Sequence, residues 1–286
     1  MEGSSTGFSV INDNGAVEQM VHPSRTWRTK CFEAADRWFS RLVRFMTAWH
    51  EGFWLGILSA NDLNVLTAEH YAESKFFLSV EHNLSGLFDW ETSALDRYFR
   101  RGSRILVAAA GAGREVLALR KIGFDAEGFE CNLALVRVSE RIFEQEGESK
   151  HVVACEADCV PPGPQIYDGL IVGWTAYTHI PTRLRRVSFL RDLRQRALPH
   201  SPVLISFFAR SGGSREESLV YRIATLCRYF LRVRKEPLEL GDRISYARFS
   251  HWFTEDEVVA ELRAAGFRAA HCKIEDDSGN AIGIAE

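Results

Sequence analysis

The chain has 286 residues, 46% hydrophobic and 26% charged, with a formal net charge of −3. That length can bury a large core and suits one main domain with an appendage, and the charge balance gives no global attraction to nucleic acid, although a local basic patch would escape this count. No apolar run approaches a membrane span, the N-terminus lacks an apolar signal core, and six cysteines without CxxC spacing need no disulfide staples, so a cytoplasmic chain without a metal centre is expected.

Residues 1–24 are rich in Gly, Ser, Asn and Asp with few regularly spaced apolar positions, the composition of a flexible tail. From Cys31 the pattern changes. Phe32, Ala35, Phe39, Leu42, Phe45, Met46, Trp49 and Phe53 recur at three and four places, which is one face of an aromatic-rich helix. Such a face can pack on the body of the protein, close a substrate pocket or rest on a membrane surface, and the sequence leaves these open. Similar spacing continues from Asn61 to Arg100, interrupted near Ser85-Gly86, and predicts two or three further helices. Residues 25–103 therefore read as a helical N-terminal cap, with Tyr71 and His82 as its pocket candidates.

The stretch RILVAAAGAGREVLALR, Arg104 to Arg120, is an apolar run followed by small residues and then a helical pattern, the signature of strand, glycine loop and helix. Gly111 and Gly113 let a ligand approach the loop backbone, and the helix behind them offers unpaired N–H groups. Seventeen residues past Gly113, Glu130 falls where a second strand would end and could accept hydrogen bonds from a ribose diol. Val116 occupies the place where a dinucleotide fold wants glycine or alanine, which weakens a nicotinamide reading.

Further along, LALVRVSERIFEQ is helical to Gly147, and strands are predicted at His151–Cys155, Tyr167–Trp174 and Pro202–Phe208, with a basic helix from Thr182 to Leu198. That alternation implies a parallel sheet covered by helices. Thr175 to Pro181 follow the second of these strands, at the carboxyl edge where ligands bind in open α/β sheets, and His179 there could accept a proton from a nucleophile. Ser214 and Glu217 have capping-box spacing and open a helix through Leu231; the segment to Ser250 reads as an insertion reaching the substrate side, and Arg228, Arg232, Arg234 and Lys235 as a cluster that is a solvated face or holds an acidic substrate or partner. A second capping box, Thr254 and Glu257, opens a helix stopped by Gly266. It feeds a strand, Arg268 to Ile274, and a turn at Ser278-Gly279-Asn280 leads into a last strand, Ala281 to Ala285, in an antiparallel hairpin at the sheet edge.

ILVAAAGAG with the distal Glu130 resembles motif I of class I S-adenosylmethionine-dependent methyltransferases. Glu156-Ala157-Asp158-Cys159 resembles that family's adenine-recognition segment, the strand to Trp174 resembles motif IV, and the ending is similar to the family's added antiparallel strand. The likeness covers residues 104–286 with an insertion at about 211–250; it departs at Val107, where the family often has an acid, and at Ala109, where it has the first glycine. It implies an α/β fold with a Rossmann-like, mostly parallel sheet and an antiparallel final strand, plus the helical cap. It further implies S-adenosyl-L-methionine as cofactor, held by Ala109, Gly111, Gly113, Glu130 and Cys131, by Ala157 and Asp158, and by Trp174 and Tyr71. His179 and Tyr177 are the catalytic candidates, with Tyr177 also a possible wall. Aromatics over the sheet's carboxyl edge favour a small-molecule acceptor methylated on oxygen or nitrogen rather than nucleic acid. Two alternatives stand beside this: an NAD(P)-dependent oxidoreductase, and a catalytically inactive methyltransferase-like binding protein. Association with a membrane surface stays open, and the sequence does not speak to oligomeric state.

Overall fold

The computed structural model describes residues 9–11, 17–19, 26–231 and 236–286. Within the stretch expected to be a tail, two three-residue strands, β1 (Ser9–Ile11) and β2 (Val17–Gln19), pair antiparallel. The rest of residues 1–24 lies outside the described residues, as do Arg232, Arg234 and Lys235 of the basic cluster. Contacts divide the chain into two compact units, Met1–Met46 and Thr47–Glu286. Helix α1 (Trp27–Ile57) begins in the first unit. The second contains the helices α2 (Ala60–Glu73), α3 (Val80–Leu84) and α4 (Asp89–Tyr98) together with everything that follows.

The apolar runs become the strands β3 (Arg104–Ala108), β4 (Asp125–Glu130), β5 (Val152–Ala154), β6 (Gly169–Val172) and β7 (Pro202–Phe208). Between and after them come α5 (Arg114–Lys121), α6 (Leu133–Gln145), α7 (Arg183–Gln195) and α8 (Arg215–Phe230). Alternate residues of a strand face opposite sides, so β3, β4, β6 and β7 each feed two cores. Ile105 and Val107 join Val116, Leu117 and Ile142 of α5 and α6 on one face, while Leu106 and Ala108 join Leu190 and Leu193 of α7 on the other. Val116 does not crowd the loop, because the opposing strand makes room: a Cβ on Gly128 of β4 would lie 3.0 Å from Val116 Cγ2 and 2.7 Å from Ala110 Cβ. The close approach that a dinucleotide fold secures with a helix glycine is here secured by a strand glycine.

The insertion consists of α8 and a hairpin, β8 (Asp242–Ser245) with β9 (Arg248–His251). Its two-residue turn, Tyr246-Ala247, has φ of 52° and 56°, the primed geometry that matches strand twist. After α9 (Glu255–Ala264), β10 (Phe267–Glu275) and β11 (Ser278–Ala285) complete a seven-stranded sheet in the order β5-β4-β3-β6-β7-β11-β10. Pairings from β5 to β7 are parallel, and β11 runs antiparallel to both its neighbours. The mostly parallel sheet with a reversed final strand and an antiparallel hairpin at its edge is as expected, with one correction at the turn. Within that hairpin the last strand is the inner one, with Ala281, Ile282 and Ala285 fully buried, while β10 carries the exposed Arg268, Lys273 and Glu275 suited to an edge. The turn is Asp276-Asp277, and Ser278 to Asn280 lie in the ladder opposite Phe208 to Ser206. Among the described residues no helix is long and apolar enough to cross a membrane.

Candidate functional site

In an open parallel sheet the crevice forms where the connections leave a central strand in opposite directions, and β3 is that strand here, flanked by β4 and β6. A cavity of about 230 Å³ lies there, lined by the loop after β3, the ends of β4, β5 and β6, and residues of α2 and the α2–α3 connection. Of the cofactor residues expected from the sequence, it brings together Ala109, Gly111, Glu130, Cys131, Ala157, Asp158, Trp174 and Tyr71, and with them His179. Gly113 instead caps α5 from below, with φ of 93° and a Cβ position 2.5 Å from the Phe143 ring, so its role is to let the helix start against α6.

The loop is set by Glu130. Its Oε2 accepts from the Gly111 N–H at 2.9 Å and its Oε1 from the Asn132 N–H at 2.7 Å. Burial pushes the carboxyl above the ordinary range, and these amides oppose that by stabilising the ionised form. No atom lies within 4 Å of a Cβ position on Gly111, so the loop backbone stays open to a ligand. Ala109 takes φ of 51°, a left-handed conformation that costs a side-chain residue roughly 1–2 kcal/mol. Ala109→Gly is therefore expected to stabilise the chain by about 0.5–1 kcal/mol after the added flexibility of the unfolded glycine, a rise in Tm of about 2 °C in a thermal melt.

Asp158 also sits at positive φ, 58°, and its Oδ2 accepts from Asn64 Nδ2 at 2.9 Å and from the Arg185 guanidinium at 3.1 Å. Asn132 Nδ2 reaches the Ala68 carbonyl at 2.8 Å, so α2 is tied to the loops after both β4 and β5. At the other end of the cavity Arg114 is buried between Glu91 and Glu115, 2.7 Å from each, and Glu115 also accepts from the Trp174 N–H at 3.1 Å. Sequence reasoning missed Asn64, Arg114, Glu115 and Arg185. Arg114-Glu115 directly behind the glycines carried the only usable signal.

His179 is held from both sides. Its Nδ1–H donates to the Phe249 carbonyl of β9 at 2.7 Å, which leaves Nε2 with the lone pair that accepts the Tyr71 O–H at 2.7 Å. Burial lowers the imidazole to about 4, with the nearby Arg248 acting in the same direction. The Tyr71 hydroxyl is raised by burial and lies 3.5 Å from an Arg248 nitrogen. Tyr177 is not in this group. It is fully buried, donates its O–H to Glu261, and stacks on Phe253 with ring centroids 5.3 Å apart. Its phenol is pushed well above its usual value by burial and by Glu261, so it braces the core instead of meeting a substrate.

Glu239, Asp242 and His251 are close enough together to hold a metal ion, but they do not line the cavity. His251 Nδ1 meets Asp242 at 2.8 Å, and Arg186, from outside the cluster, meets Glu239 at 2.6 Å.

No family model matches the chain, and no curated protein is significantly similar to it in sequence. Solved structures do resemble it. The 1,6-didemethyltoxoflavin-N1-methyltransferase of Burkholderia thailandensis, solved with its substrate and S-adenosylhomocysteine, superposes with a TM-score of 0.56 at 16% identity, covering 80% of this chain and 91% of that one. A SAM-dependent methyltransferase of Methanosarcina mazei gives 0.54 at 16% identity over 70% and 98% of the two chains. The SAM-bound amino pentose methyltransferase of Micromonospora echinaspora gives 0.50 at 15% identity over 69% and 91%. The fold is that of the class I S-adenosylmethionine-dependent methyltransferases.

Proposed function

We propose that the chain is an S-adenosylmethionine-dependent methyltransferase that methylates an oxygen or nitrogen of a small molecule. The observation that carries this reading is Glu130, a buried carboxylate at the end of the second strand of this fold, locked to the glycine loop and lining the cavity. The residues present fit the cofactor. Glu130 would accept the ribose hydroxyls, and Asp158, with Oδ2 already engaged, would offer Oδ1 to the adenine amine. Cys131 and Ala157 would flank the adenosine, and the open backbone at Gly111 would admit the rest. Glu115, beside Trp174, supplies near the loop the acid that Val107 does not.

When bound, the cofactor supplies a methyl on a positively charged sulfur. The chain's part is to align an acceptor with it, to exclude water and to take a proton, and positioning can provide most of the acceleration. Tyr71 and His179 both line the cavity and are hydrogen-bonded to each other, so the pair forms a relay in which Tyr71 takes the acceptor's proton while giving its own to His179 Nε2. Phe77, His82, Phe88 and Trp174 form a contiguous aromatic group whose ring centroids lie 5.0–6.3 Å apart, a wall suited to a compact acceptor. The toxoflavin and amino pentose enzymes named above act on small molecules, which supports the same class here. Six unpaired cysteines support a reducing compartment such as the cytoplasm.

Titration calorimetry with S-adenosylhomocysteine and with NADH tests the reading. Saturable binding of the first and none of the second is expected; binding of NADH alone would return the chain to the oxidoreductases. Cofactor binding without methylation of any acceptor across a broad small-molecule screen would make it an inactive relative.

A further inference from the structure

Within the first unit no described residue covers the aromatic face of α1. Trp27, Phe32, Trp38, Phe39 and Met46 are each 60% exposed or more, and Phe45 is 53% exposed. At 100° per residue these six side chains fall within an arc of about 140°. Lys30, Arg37, Arg41 and Arg44 fall within an arc of about 60° on the other side of the helix. From Trp27 to Met46 the helix carries five basic and two acidic residues in a chain whose formal charge is −3. Where α1 continues in the second unit, it docks on α8 through small residues and not through aromatics. A Cβ on Gly52 would lie 2.7 Å from the Val220 carbonyl, and one on Gly56 would lie 2.6 Å from Cys227 Cβ. Trp49 and Trp54 stay 51% and 40% exposed there. The aromatics are thus not the helix's packing face.

We propose that α1 is an interfacial anchor that lays this aromatic face into an anionic lipid surface, a role beyond the methyl-transfer reading and independent of it. A helix in the interface sinks its apolar side to the acyl boundary while long basic side chains reach back to the headgroups, and tryptophan favours that depth because one end of its ring is polar. Lys30, Arg41 and Arg44 make no ion pair among the described residues, and Arg37 meets the half-buried Glu33 at 3.8 Å. A second copy of this helix would bring the same excess of basic residues and little acid to complement it, whereas an anionic surface neutralises the stripe.

The test is co-sedimentation of the full chain with vesicles of phosphatidylcholine alone and of phosphatidylcholine with about one-third phosphatidylglycerol, at low salt. Binding to the anionic vesicles at least about tenfold tighter than to the neutral ones is expected. The double variant Phe39→Ser/Phe45→Ser should lose it, and Arg37→Glu/Arg41→Glu/Arg44→Glu should weaken it by about 100-fold or more. Both variants change exposed side chains, so unchanged thermal melts would show that they fold. Equal binding to both vesicle types, or none, overturns the proposal. So does a chain that sediments as a dimer and becomes a monomer in Phe39→Ser/Phe45→Ser, which would give the face to a second copy.

Discussion

Glu130→Gln is expected to weaken S-adenosylhomocysteine binding by about 100-fold. Hydrogen bonds to a charged acceptor contribute about 1.5–3 kcal/mol each, and a ribose diol can make two. The amide also turns a donor toward the Gly111 or Asn132 N–H, each of which donates to the carboxylate at 2.9 Å or less, so the loop itself loosens. Affinity should also depend on pH in the wild type. Burial raises the Glu130 carboxyl, so the accepting, ionised form is lost as pH falls, beginning above the range of an ordinary glutamate. Calorimetry from pH 8 to pH 5 on both proteins checks this. A Kd within about threefold of wild type in Glu130→Gln would mean that the carboxylate only braces the loop and meets no ribose.

How far the sequence reaches is seen by comparing particular residues. Ile105 to Ala108 and Pro202 to Phe208 are legible because a strand buried on both faces is a continuous apolar run between breakers, and the structure places them there. The β8–β9 hairpin is not legible. Its turn, Tyr246-Ala247, has neither glycine nor asparagine, so the positive φ values are imposed by tertiary contacts such as the Thr67 hydroxyl on the Phe249 N–H at 3.1 Å. Yet this hairpin supplies the carbonyl that fixes the His179 tautomer. Glu130 and Asp158 are found because strand ends in a parallel sheet converge on one edge. Tyr177 is misplaced because that rule gives the edge and not the direction. Ala176–His179 is a 3-10 turn, in which residues two apart point different ways, so His179 meets the cavity while Tyr177 enters the core. Arg114 and Glu115 read as ordinary charges in a first helical turn. Only the packing of Glu91 from α4 against them shows a buried network.

Tyr71→Phe and His179→Ala should each slow methyl transfer by about 10²-fold, the scale of general-base catalysis, with S-adenosylhomocysteine affinity within about threefold of wild type. If the two act as one relay, the double variant should be hardly slower than either single one. The pH behaviour separates this from a histidine facing solvent. With its pKa lowered to about 4, His179 is a neutral base throughout the neutral range, so the rate should show no ionisation near the ordinary 6.5. Stability carries the same signature with a definite sign. The unfolded imidazole titrates near 6.5 and the folded one near 4, so the unfolded chain binds the extra proton between these values. This contribution is fully present above pH 6.5 and is lost as pH falls from 6.5 through about 4, by at most about 3 kcal/mol because the ring keeps some contact with the cavity. Urea midpoints at pH 7 and pH 4.5 should fall further apart in wild type than in His179→Gln, which has no proton to gain. A wild-type rate that follows a group of pKa near 6.5, together with equal midpoint shifts in the two proteins, would remove His179 from the relay and leave Tyr71 to act by positioning alone.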